Sequence, residues 1–222
     1  MVFLFRTDRG LSFVDRPGGT ATSATTITRD AAGRPHLSFS PGRIDPTSAA
    51  WTDSRKPLAG EFRWRGRTVF VIANHFVSKG GDDPLYGRFQ PIKQPSQVQR
   101  VLQATEVRNF VDQIVAADRN ANVVVLGDLN DFDFAAPIDT LTSTGHLVDL
   151  PRTLPIQERY TYVFEGNSEV LDHILLSRSM AYAVPACSCL PLFDYDPVHL
   201  NAEFNDQVSD HDPQVVRLLV RP

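Results

Sequence analysis

The chain has 222 residues, 42% of them hydrophobic and 22% charged, with 26 acidic against 22 basic residues and a formal charge of −4. Those values exclude a low-complexity or collagen-like chain and allow one large domain, while the acidic balance excludes a protein that coats nucleic acid by counterion release. No apolar run approaches the ~20 residues that cross a bilayer, and the opening Met1–Asp8 lacks the basic leader and apolar core of a signal peptide.

In chain order, Val2–Arg6 reads as a short strand, and Pro17–Pro46, rich in Thr, Gly, Ser and Pro, as a long loop. Arg67–His75 alternates apolar and polar residues and then turns polar, as a strand does at its end. Gly80–Gln94 is a second long polar loop; loops of this length in a compact domain commonly border a cleft. Ser96–Ala117 reads as a helix with Ser96 as N-cap and Val98, Val101, Leu102, Thr105, Phe110 and Ile114 at helical spacing. Ala121–Gly127 has the continuous apolar pattern of a buried strand. A shorter helix follows over Phe134–Thr144, with Pro137 in its first turn and Gly145 as its stop. Val170–Ser177 and Pro213–Val220 complete the strands. Cys187 and Cys189 stand too close for a mutual disulfide and are too few for zinc, so both are expected as buried thiols. With no repeat or charge block, residues 1–222 read as one α+β domain, a layered sandwich.

Four segments carry residues too polar for the strands they end or adjoin: Ala73-Asn74-His75, Gly127-Asp128-Leu129-Asn130-Asp131, Leu171-Asp172-His173 and Ser209-Asp210-His211-Asp212. Each has a plain structural reading. An Asp after a strand commonly shapes a turn, a single His is commonly satisfied by its neighbours, and Asp210-His211-Asp212 reads equally well as a solvated loop. Asp172 differs, because a carboxylate inside an apolar strand demands a partner. Strand ends on one edge converge, so the four segments together predict a pocket of His, Asp and Asn. Phosphodiester hydrolysis uses that mixture: a positive centre for the non-bridging oxygens, an in-line nucleophile, and help for the leaving oxygen. Asp and Asn oxygens suit hard divalent cations, and a His held by a carboxylate can take a proton from water.

GDLN at 127–130, LDHIL at 171–175 and SDHDP at 209–213 occur in the order of the last three motifs of the endonuclease/exonuclease/phosphatase superfamily, and the chain resembles its DNase I-like enzymes. ANH at 73–75 is similar to the strand with the first catalytic histidine, FLFR at 3–6 to the strand before it, and SRKP at 54–57 to the phosphate-contacting Arg segment. The texture resembles bacterial secreted nucleases, yet this chain opens on no export signal, so no compartment is assigned. The resemblance implies a four-layer α/β/β/α sandwich and a phosphodiesterase, most naturally a nuclease of low sequence specificity. It implies His211 as the base oriented by Asp172, Asp128 near the metal and the attacking water, and His75 at the transition state or leaving oxygen. Arg55 would grip the phosphate, with Asn130 on a phosphate oxygen and Asn74 as a lesser contact. Asp128, Asn130 and Asp210 would hold the divalent cation: Mg²⁺ foremost, with Mn²⁺ and Ca²⁺ sharing the same ligands. The family's N-terminal segment, with its metal-binding Asn and Glu, has no counterpart, so the fold is expected N-terminally truncated and paired as a homodimer over the surface left open. Two other readings stay open: a phosphoesterase for small di-, mono- or triesters, and a weakened domain that binds metal or nucleic acid. No membrane partner is expected.

Overall fold

A short edge strand, β1 (Leu11–Phe13), lies beside a long hairpin formed by β2 (Leu58–Trp64) and β3 (Arg67–His75). Arg65 and Gly66 between them adopt φ of 48° and 79°, which lets a two-residue turn follow the right-handed twist of the strands. Helix α1 (Pro95–Ala117) then crosses the sheet and returns the chain as β4 (Asn122–Asp128), parallel to β3. After α2 (Ala136–Thr142) come β5 (Leu147–Asp149), a hairpin of β6 (Tyr162–Phe164) and β7 (Asn167–Glu169), and β8 (Asp172–Ser177). A last hairpin joins β9 (Phe193–Pro197) to β10 (Gln214–Leu218). This computed structural model describes residues 1–184, 189–201 and 208–219.

The seven-stranded sheet runs β1-β2-β3-β4-β8-β5, with Gly42–Arg43 also paired to β2. Alternation along the strands divides its residues between two cores. Phe70, Ile72, Val123, Val125 and Leu175 pack with Val107, Phe110, Val111 and Ile114 of α1. Val69, Val124, Ile174 and Leu176 face the other way, against Met180, Tyr195 and the partly buried Val216 and Leu218. Helices, sheet and the β9–β10 hairpin therefore form successive layers, the mixed α+β sandwich expected of the chain. Among the described residues, no helix is long and apolar enough to cross a membrane.

Several local expectations are corrected. Residues 2–6 form no strand; instead Phe3 and Phe5 set their rings edge-on to Phe62, each 5.5 Å away. The stretch 17–46 is not all loop, since Ile27–Arg29 and Pro35–Leu37 pair as a hairpin and the buried Glu61 accepts the Leu37 N–H. Helix α1 starts at Pro95 after Gln94, and Ser96 is not its cap: the Ser96 Oγ donates to Asp82. The buried stripe of α1 is Arg100, Gln103, Ala104, Val107, Phe110, Val111 and Ile114, while Val98 and Leu102 are exposed. Apolar periodicity misplaced the stripe because Arg100 is buried, and its cost is offset by Asp82 and Asp131 at 3.0 and 2.8 Å. Cys189 is exposed and disulfide-bonded, not a buried thiol; Cys187 lies outside the described residues.

Candidate active site

Register builds most of the site. The parallel pairing of β3 and β4 sets His75 opposite Asp128, and the antiparallel pairing of β4 and β8 sets Asp128 opposite Asp172. Since side chains alternate along a strand, all three share the sheet face turned away from α1, the face of Val69, Val124 and Ile174. Gly127 makes the approach possible: with φ at 131°, a Cβ there would lie 2.1 Å from the Asn74 carbonyl oxygen.

The fourth member arrives from the opposite layer. Just before β10, His211 bridges Tyr162 in antiparallel fashion, and the Asp212 N–H donates to the Thr161 carbonyl at 2.8 Å. These bonds place His211 Nδ1 2.6 Å from Asp172 Oδ2. The Asp172 carboxylate also accepts from Thr161 Oγ1 at 2.9 Å, and Thr161 Oγ1 takes the Leu171 and Asp172 N–H groups at 3.2 Å. The hydroxyl thus fixes both the strand end and the carboxylate it presents.

Charges in this row perturb one another. The hydrogen bond to Asp172 pushes the His211 imidazole up to about 9, aided by the charges of Asp172, Asp128 and Asp210 and opposed by burial. Burial pushes the Asp128 carboxyl up to about 6, and the negative charge of Asp172 adds to it. His75, with Nε2 3.4 Å from Asp128 Oδ2, is held below its usual value by burial and then by the Arg55 charge. Groups perturbed by burial and by a specific charged partner mark a candidate functional site.

Arg55 is exposed and close enough for its charge to act on His75, and Asp210 is exposed and acts on His211 in the same way. Asn130, at φ 53°, folds back so that its N–H and its amide both donate to Asp128, and the amide also donates to the Phe76 carbonyl. Asn74 does not join the row. It occupies the opposite face of β3, 4% exposed, with its amide on the Ile72 and Leu126 carbonyls, so it offers no substrate contact.

Motif reading missed the groups behind the row. Thr161 gave no signal, because a lone Thr before a strand carries no pattern. Asp131 is a buried hub that bonds Arg100 and Lys79 through its carboxylate at 2.8 and 3.1 Å, while its carbonyl lies 3.0 Å from His173 Nε2. His173 is itself buried and holds Asp149 at 2.9 Å through Nδ1. Two polar residues flanking Asp172 and Asn130 were the available clue.

Residues 45–185 match the Endonuclease/Exonuclease/phosphatase family. The chain belongs to that family. No curated protein sequence matches it. Among solved structures, a mannosyl-6-phosphatase of Bacteroides thetaiotaomicron is similar at 18% identity and TM-score 0.50, over 97% of this chain and 69% of that one. A humanized TDP2 of D. rerio is similar at 18% identity and TM-score 0.51, over 95% and 68%. A beta toxin variant of Staphylococcus aureus with bound magnesium ions has 17% identity and TM-score 0.47, over 72% and 56%. The chain therefore spans roughly half to seven-tenths of the length of its structural relatives, and the likeness is one of fold.

The donors that could hold the implied cation are few. Among the described residues, no three His, Cys, Asp or Glu side chains converge to hold a metal. Both Asp128 oxygens already accept from Asn130, and Asp210 is exposed. Asp128, Asn130 and Asp210 would therefore supply only part of an octahedral shell, the form in which Mg²⁺ is usually held, by one or two carboxylates with waters and substrate phosphate completing it.

Proposed function

We propose that this family member hydrolyses phosphodiesters, those of nucleic acid foremost and with little sequence preference, in a reaction that depends on a divalent cation. One observation carries the reading: His211 and Asp172 stand 2.6 Å apart in the row that continues through Asp128 to His75. With Nδ1 committed to Asp172, the His211 Nε2 is left to accept a proton from water. The water oxygen forms a bond to phosphorus, its proton passes to Nε2, and the bond to the leaving oxygen breaks as that oxygen takes a proton from solvent. Arg55 offsets charge on the non-bridging oxygens. At the far end of the row burial and the Arg55 charge hold the His75 pKa down, which favours the neutral imidazole and suits it to donating an N–H to the leaving oxygen.

The decisive experiment pairs His211→Ala with the native chain on plasmid DNA and bis-p-nitrophenyl phosphate, with and without chelator. A base contributes about 10²–10⁴-fold, so the variant loses at least ~100-fold on both substrates, and chelation silences the native chain. Undiminished hydrolysis by the variant rejects His211 as the base, and activity indifferent to chelator rejects the cation.

A further inference from the structure

A cleft of about 400 Å³ opens beside His211 and Asn130, within the range of small-molecule sites, ~300–1,000 Å³. Its walls are the loop from Lys79 to Gly87, the turn after β4, and the β6–β7 hairpin. Tyr162 and Phe164 lie two residues apart on β6 with rings 6.3 Å apart and within 13° of parallel, which makes one broad flat wall. Phe132 and Leu171, with Leu85 against them, supply an apolar floor.

Charge narrows what can enter. Lining residues include four carboxylates, Asp82, Asp83, Glu165 and Glu169, and one ammonium, Lys79. Asp82 is committed to Arg100 at 3.0 Å. The Lys79 Nζ is committed to Asp131 at 3.1 Å and stands 4.1 Å from the centre of the Phe132 ring. The excess is negative even with His211 protonated, so an additional phosphate is repelled, and the Lys79 ammonium already covers the Phe132 ring, which leaves the Tyr162–Phe164 wall as the stacking surface. A flat guest with N–H or O–H groups to donate to Glu165 and Glu169 matches this lining. A nucleoside has those properties: its base stacks on aromatic rings whatever its identity, and its amino and hydroxyl groups donate.

We propose that this cleft is a subsite for a single nucleoside attached to the scissile phosphate, gripped by Phe164 and Tyr86. The proposal rests on the phosphodiesterase reading, which supplies the phosphate beside His211. Phe164 and Tyr86 are 42% and 76% exposed, so removing their rings leaves the core intact. A dithymidine monophosphate and its base-free analogue, followed by chromatography, isolate the contribution of the base. The native chain favours the base-bearing compound by about tenfold in kcat/KM. A Phe164→Ala, Tyr86→Ala double variant loses that preference while keeping the base-free rate. Equal rates in the native chain, or a preference that survives in the variant, overturn the subsite. Titration with thymidine alone decides the cleft independently of turnover: the native chain binds it and the double variant binds at least about fivefold more weakly. If neither dinucleotide is cleaved, the phosphodiesterase reading falls, yet thymidine binding lost in the variant still supports the cleft; absence of that binding overturns it.

Discussion

Asp172→Asn is the perturbation that separates the two duties of this carboxylate. In the native chain Asp172 pushes His211 from 6.5 up to about 9, so at pH 7 only about one molecule in a hundred carries the neutral imidazole a base requires. The native kcat/KM is therefore expected to climb about tenfold per pH unit from 7 to 8 and to level off above 9. The amide removes the charge that sustains the shift, so the rising limb moves down toward 6.5. It also removes the acceptor that orients the ring, which costs about 10³-fold in the pH-independent rate. The two effects oppose each other at neutral pH. The deficit is then greatest near pH 9 and about a hundredfold smaller at pH 6 to 7, where the variant's larger share of neutral imidazole offsets part of it. Initial rates on bis-p-nitrophenyl phosphate across pH 5.5–10, under saturating Mg²⁺, measure both terms. A limb that stays near 9 in the variant, or a deficit equal at all pH values, refutes the assignment of His211 as a base tuned by Asp172.

Two further outcomes follow from the buried charges. Asp128 has a folded pKa of about 6 against an ordinary 3.8, so the folded chain holds this proton more tightly than the unfolded one. Stability from that proton is present below pH 4 and lost as pH rises through 6. Asp128→Asn is thus expected to raise Tm by about 6–12 °C at pH 8 and to change it little at pH 4, in thermal melts, while activity falls. An equal shift at both pH values contradicts an electrostatic cause. His173→Phe removes the 2.9 Å partner of Asp149 at a site closed to water, where the Arg152 guanidinium stands farther off at 3.6 Å. Leaving a buried carboxylate unpaired costs about 3–5 kcal/mol, read in urea unfolding; a loss under about 1 kcal/mol means Arg152 suffices.

The polar strand ends were legible because they break rules that apolar strands obey. Asp172 within an apolar run and the Gly127–Asn130 turn after Val123–Leu126 declared themselves in this way. Asn74 and His75 shared one segment and looked equivalent, yet strand alternation sends them to opposite faces, and only the direction of β3 relative to α1 says which face holds the row. Helix α1 was legible in extent and misjudged in orientation, since pairing of Arg100 with Asp82 and Asp131 makes a charged residue the centre of its buried stripe. Thr161 was invisible: its hydroxyl matters through bonds to Asp172, Leu171 and its own loop, none of which local pattern encodes.

Taken alone, the order of residues determined the extent of α1 and the place of β3, β4, β8 and β10, that four segments carry acid, amide and imidazole, and which family they resemble. Those features depend on neighbours along the chain, where periodicity and turn chemistry act. Tertiary structure alone decided that His75, Asp128 and Asp172 fall in one row, that His211 reaches it from another layer, and that an acidic aromatic cleft adjoins it. Register between strands and the packing of one layer on the next arise from contacts between residues far apart in sequence, and a linear pattern carries no record of those distances.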